Sequence, residues 1–121
     1  MNYYFLLEDE KSFMKVLPYW LKYMGFQHER VADISDVCEN SYVLQSGQGV
    51  TQLITKALFD TIDTLMNNPY KIDKLVVIVD AEDKTIEERK KEIYDRILKK
   101  YDTILFVFEI VIIPFVCLEK N

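Results

Sequence analysis

Residues 75–79, Leu-Val-Val-Ile-Val, run without a polar break into Asp80-Ala81-Glu82-Asp83. Five successive apolar, mostly β-branched residues predict a strand covered on both faces, as strands of parallel sheets are. A second run of the same kind, Tyr3–Leu7 (YYFLL), leads into Glu8-Asp9-Glu10. If the two strands are neighbours, Glu8 and Asp80 with Glu82 converge at one edge of the sheet. Carboxylates gathered in one place repel one another unless a divalent cation neutralises them, and hard oxygen ligands favour Mg²⁺ or Mn²⁺.

Working outward from these strands, the chain alternates strand with helix. Residues 11–24 place Phe13, Val16, Leu17, Trp20, Leu21 and Met24 on one stripe at helical spacing. Pro18 inside that stripe predicts a kink or a helix in two parts, and Gly25 stands where a C-terminal cap belongs. Residues 26–40 carry little pattern. A short strand is expected at 31–34, with Asp33, Asp36 and Glu39 solvated. Residues 42–45 (YVLQ) predict another strand, followed by Ser46-Gly47-Gln48-Gly49 and a helix over about 50–66, with Val50, Ile54, Ala57, Leu58, Ile62 and Leu65 inward. A further helix over about 85–101 opens with a capping box of Thr85 and Glu88. Its apolar stripe is Ile93, Ile97 and Tyr101, widened by Tyr94 and Leu98. Residues 103–118 (TILFVFEIVIIPFVCL) read as one or two strands broken near Glu109-Ile110. Such alternation implies the α/β class: one domain over 1–121, with a mainly parallel sheet of four to five strands and helices on both faces.

Composition limits the function classes. The 121 residues are 50% apolar with three Gly and three Pro, which is a folded composition rather than a disordered one. A net charge of −5 argues against holding nucleic acid by bulk electrostatics, although a bound metal supplies positive charge locally. Cys38 and Cys117 lack C-x-x-C spacing, and with His28 the single histidine no zinc set can be assembled. Two reduced thiols suit a cytoplasmic protein. Met1-Asn2 offers no basic leader region, and Glu8-Asp9-Glu10 interrupts the first apolar run. Residues 103–118 are too short for a membrane span of about 20 residues and contain Glu109 and Pro114. No membrane association is therefore expected, and this apolar tail could instead join a homodimer interface.

Open α/β sheets carry their sites at the carboxyl ends of the strands. Three elements fall there: Glu8-Asp9-Glu10, Ser46-Gly47-Gln48-Gly49 and Asp80-Ala81-Glu82-Asp83. Each has an ordinary explanation. Acids in a first helical turn complement the helix dipole, and a glycine pair suits any strand-to-helix turn. Their combination at one sheet edge is what points to a site. Backbone amides near Gly47 and Gly49 could bind a phosphate at a helix N-terminus, with Lys11 or Lys84 contacting the same anion. Arg89, Lys90, Lys91, Arg96, Lys99 and Lys100 could steer nucleic acid. They are interleaved with Glu87, Glu88, Glu92 and Asp95, however, which is the pattern of a salt-bridged surface helix.

Glu8 after an apolar strand, a glycine turn before a helix (Gly47/Gly49) and a strand ending in Asp80-Ala81-Glu82 resemble the TOPRIM domain of topoisomerases, bacterial primases, small recombination proteins and overcoming-lysogenization-defect nucleases. The resemblance spans Tyr3 to about Val116, and its nearest flavour is the small stand-alone or defence-associated TOPRIM-like proteins, in which a Leu-Glu pair like Leu118-Glu119 also occurs late. It implies a Rossmann-like three-layer TOPRIM-type fold and Mg²⁺-dependent (or Mn²⁺-dependent) phosphodiester chemistry on DNA or RNA, in phage defence or DNA repair. Glu8 and Asp80 would be catalytic. Glu8, Asp80 and Glu82 would hold the metal, with Asp83 accessory, and an ATPase partner is compatible. Two positions differ from the family pattern: Asp9 stands where a glycine follows the glutamate, and Glu82 stands where the second Asp belongs.

Those differences define an alternative, a TOPRIM-like module that works by interaction or regulation without catalysis. A second alternative is a response-regulator receiver domain, which Phe5-Leu6-Leu7-Glu8-Asp9-Glu10-Lys11 and the chain length also resemble. In that case Asp80 would be the phosphorylated residue, although the interval from Glu8 is longer than receivers use and no Lys-Pro follows a late strand.

Overall fold

Alternation along β1 (Tyr3–Leu7) decides the layering. Tyr4 and Leu6 face one side of the sheet, Phe5 and Leu7 the other, and all four are buried. In the computed structural model, which describes residues 1–8 and 13–116, β1 is the middle strand of five. The others are β2 (Glu29–Val31), β3 (Ser41–Ser46), β4 (Lys74–Asp80) and β5 (Glu109–Phe115), in the spatial order β2-β3-β1-β4-β5. Every pairing is parallel, so the two apolar runs at the centre are neighbours, with Phe5 beside Val76 and Leu7 beside Ile78.

Helix α1 (Phe13–Tyr23) lies on one face, where Leu17 and Leu21 pack against Phe5, Leu7, Tyr42, Leu44 and Val76. The opposite face carries α2 (Val50–Gln52), a π turn (Leu53–Ala57), α3 (Leu58–Asn67) and α4 (Ile86–Lys100). Leu53, Leu58, Ile62, Leu65, Ile93 and Ile97 bury there against Leu6, Leu75, Val77 and Val79. Each fully covered side chain contributes about 1.5–3 kcal/mol of apolar burial. The result is a Rossmann-like three-layer α/β fold with an all-parallel sheet.

Several local expectations change. Helix α1 runs unbroken through Pro18 rather than in two parts, and it ends in a Schellman motif. There Gly25, at φ +85°, donates to the Lys22 carbonyl while Phe26 donates to that of Leu21. Trp20 and Met24, expected inward, are 52% and 70% exposed, whereas Leu17 and Leu21 make the buried contact of α1 with the strands. The short strand lies at Glu29–Val31 rather than 31–34, because the Asp33 carboxylate caps a 3₁₀ turn at Ile34–Asp36 and takes those residues out of the sheet. Leu98 is exposed rather than part of the α4 stripe. Among the described residues the tail forms one strand, β5, preceded by a 3₁₀ turn at Thr103–Leu105. The capping box of Thr85 and Glu88 is present in both directions, at 2.8 and 3.1 Å.

Tyr101, at the C-cap of α4, ties that helix to α3. Its hydroxyl donates to Asp63 Oδ1 at 2.7 Å and lies 3.2 Å from the Phe59 carbonyl. Burial, and then the Asp63 carboxylate beside it, raise its pKa far above the ordinary tyrosine value. The unfolded chain ionises near pH 10, before the folded one does, so this contribution is complete below about pH 10 and is lost as the pH climbs beyond it. Thermal melts at pH 9 and pH 11 should show a smaller alkaline loss of Tm for Tyr101→Phe than for the parent chain. An equal loss would assign the alkaline limit elsewhere.

Candidate functional site

The strand order creates a switch point. The connection leaving β1 runs to the β2–β3 side, and the one leaving β4 runs to β5, so the two diverge above adjacent strand ends. Ligands of open α/β sheets bind in the crevice that such divergence leaves. Glu8 and Asp80 occupy its two lips. The Glu8 carboxylate reaches across and accepts the Asp80 backbone N–H through Oε2 at 3.4 Å. Both residues are half-buried, and among the described residues no ion pair reaches Asp80.

The Asp80 carboxylate shapes the turn that follows, with Oδ1 accepting the Glu82 N–H at 2.7 Å while Glu82 takes a left-handed φ of +55°. That turn carries the Glu82 side chain away from Glu8. Its carboxylate pairs with Arg89 at 2.7 Å, and the same guanidinium bonds Glu92 at 2.6 Å and the Ala81 carbonyl at 3.3 Å. Lys84 adds a looser contact to Glu92 at 3.7 Å. Asp83 is exposed. Among the described residues, no three His, Cys, Asp or Glu side chains stand together as a metal-binding group. The expected set of Glu8, Asp80, Glu82 and Asp83 is thus divided: Glu8 adjoins Asp80, and Glu82 belongs to an ion-pair network with α4.

Two carboxylates are nevertheless a sufficient protein contribution for Mg²⁺, which keeps several waters and takes further oxygens from phosphates. The hard-oxygen character of Glu8 and Asp80 fits such an ion, and in the observed rotamer Glu82 would not be among its ligands.

The glycine turn is a clamp. Gly47 donates its N–H to the Leu7 carbonyl at 2.5 Å, Gly49 donates to the Glu8 carbonyl, and the Gln48 N–H goes to Ser46 Oγ at 3.0 Å. The amides expected to face a phosphate are therefore spent on fixing the end of β1, and with it Glu8. A phosphate at this loop would have to use the first-turn amides of α2, which starts at Val50 with no side-chain cap. Lys11, together with Asp9 and Glu10, lies outside the described residues, as do Cys117 and the Leu118-Glu119 pair.

Sequence reasoning missed Arg89, counted among surface cations but 2% exposed. The signal was present, since residues 89, 93 and 97 recur every four positions and place Arg89 on the buried Ile93/Ile97 stripe. Of the other basic residues of α4, Lys91 forms the expected pair with Asp95 at 2.7 Å, whereas Lys100 lies over the Phe59 ring at 4.5 Å. Comparison with protein families, with characterised proteins and with solved structures finds no match to this chain.

Proposed function

We propose that Glu8 and Asp80 hold one Mg²⁺ or Mn²⁺ ion and that the chain is a metal-dependent phosphodiester hydrolase, or a related phosphotransfer domain, of TOPRIM type acting on nucleic acid. The observation that carries this reading is the hydrogen-bonded approach of Glu8 to Asp80 at the switch point of the sheet. A bound divalent cation would polarise a phosphoryl oxygen and offset negative charge developing on it. The chain's own residues supply the rest. Glu8, clamped at its carbonyl by Gly49 and at its carboxylate by Asp80, is held rigid enough to orient an attacking water or to exchange a proton with it. Asp80 stands at the end of a buried strand whose position β1 and β5 fix from both sides.

A second reading, an interaction or regulatory module without catalysis, is favoured by one specific contact. Glu82 is held by Arg89 and leaves the carboxylate pair one ligand poorer than a cleaving centre would have.

Titration calorimetry with Mn²⁺ separates them. The parent chain should bind one ion, and Glu8→Gln/Asp80→Asn should weaken binding at least about tenfold. Incubation of DNA and RNA with Mg²⁺ or Mn²⁺ should give cleavage that the double variant reduces by a hundredfold or so. Binding without cleavage selects the module, and cleavage undiminished in the double variant removes the assigned site. Stoichiometric modification of Asp80 by acetyl phosphate would make the chain a receiver instead.

A further inference from the structure

On the α1 face, between that helix and the β2 edge of the sheet, lies an open cavity of about 510 Å³ walled by Pro18, Leu21, Lys22, Phe26, His28 and Tyr42. Its size suits a nucleoside-sized ligand. The aromatic wall is already a stack: the Phe26 and His28 rings lie 4.0 Å apart and 14° from parallel, with Tyr42 edge-on to Phe26 at 5.9 Å. The His28 ring is fixed by Nε2–H donating to the Met1 carbonyl at 2.8 Å. A third flat ring can extend such a stack, and base–aromatic stacking tolerates any base.

The charge is equally one-sided. Among the described residues no acidic one lines the cavity, Lys22 stands at its rim, and Arg30 on β2 is in register with Tyr42, which puts it on the same face of the sheet. Helix α1 itself contains two lysines and no acid, in a chain of net charge −5. Its outward residues Lys15, Tyr19 and Tyr23 are exposed and continue the basic-aromatic surface along the helix, whose start follows β1 and Glu8 and whose end meets the cavity about 16 Å away. Basic groups that track a backbone, interleaved with aromatic rings, are what binds unpaired nucleic acid.

We propose that this cavity takes an unpaired nucleotide of a single strand, with its base on the Phe26/His28 stack and its phosphate at Lys22 and Arg30, while the strand continues over α1 toward Glu8. The inference relies on the proposed function only for where the strand leads, because its binding step needs no metal.

Fluorescence anisotropy of a labelled oligodeoxythymidylate and its RNA counterpart, at low salt with EDTA present, tests it in the parent chain and in Glu8→Gln/Asp80→Asn. Both proteins should bind the single strand, and a duplex of equal length should bind at least ten times more weakly. Lys22→Glu, at an exposed position, should cost about tenfold in affinity and lower the slope of log K against log salt by about one. Arg30→Glu should behave alike, with melting curves confirming that both variants fold. Unchanged binding in both variants, equal affinity for the duplex, or no binding by the parent would overturn the proposal. So would displacement of the strand by AMP at concentrations below that of the oligonucleotide, which would assign the cavity to a free nucleotide. Preferential binding to anionic phospholipid vesicles would assign the surface to a membrane. Strand binding that persists without any cleavage in the parent would reject the catalytic reading and leave this one standing.

Discussion

Arg89→Ala should lower the unfolding free energy by about 3 kcal/mol, and Tm by roughly 10 °C, without weakening Mn²⁺ binding at Glu8 and Asp80. The side chain is 3% exposed and joins Glu82 on the β4 turn to Glu92 on its own helix and to the Ala81 carbonyl. Removing it leaves a cavity beside Ile93 and leaves Glu92, whose side chain is only 25% exposed, with the looser Lys84 contact at 3.7 Å. Glu82 is more than half exposed and can return to water, so its share of the loss is small. Arg89→Met keeps most of the volume and should cost less than the alanine. If the proposed site holds, metal affinity should move the other way, because the variant removes a positive guanidinium near Asp80 and leaves the Glu82 carboxylate uncompensated. Calorimetry that found Mn²⁺ binding abolished in Arg89→Ala would show that the network builds the site rather than bypassing it. Chemical denaturation of both variants measures the stability half.

Gly47→Ala should also be costly, by about 2 kcal/mol, for a reason unrelated to backbone freedom. Gly47 is buried, and a Cβ there would stand 2.7 Å from Leu53 Cβ, 2.9 Å from its Cγ and 3.1 Å from its Cα. Leu53 is fully buried at the start of the π turn and has no room to retreat. Relief would have to come from the loop, whose movement loosens the Gly47 bond to Leu7 and the neighbouring Gly49 bond to Glu8. Gly49→Ala meets no atom within 4 Å, but φ is +99°, so its cost of about 1–2 kcal/mol is pure backbone strain. Denaturation curves of the two variants should therefore rank Gly47→Ala as the more destabilised. Metal titration should show weaker binding for Gly47→Ala as well, since the clamp positions Glu8. The reverse ranking would remove Leu53 from the explanation.

The elements whose period is dictated by burial were legible. Tyr3–Leu7 and the run into Asp80 could be read because strands covered on both faces must be continuously apolar, and α4 because Thr85 and Glu88 cap each other. Trp20 and Met24 misled, because periodicity marks which side of a helix is apolar and not how deeply each position on that side is buried. The β2 region resisted for a different reason: it is a three-residue edge strand with two charged residues, its position set by β3 and by the Asp33 cap. At the site, the meeting of Glu8 and Asp80 followed from strand adjacency alone. The diversion of Glu82 did not, since it depends on one left-handed residue and on an arginine whose burial shows only once its helix is docked.

The bond from Asp80 to Glu8 has a consequence in time. It joins positions 72 residues apart, through a sheet whose central pairing unites the first strand with the fourth. As the chain emerges from the ribosome, β1, α1, β3 and the long helix after the glycine clamp can all precede β4, so the Glu8–Asp80 bond is among the last contacts of the sheet that the chain can make. A nascent or truncated chain that stops short of Asp80 therefore cannot form the pair, and the crevice takes its shape only once the sheet is nearly whole.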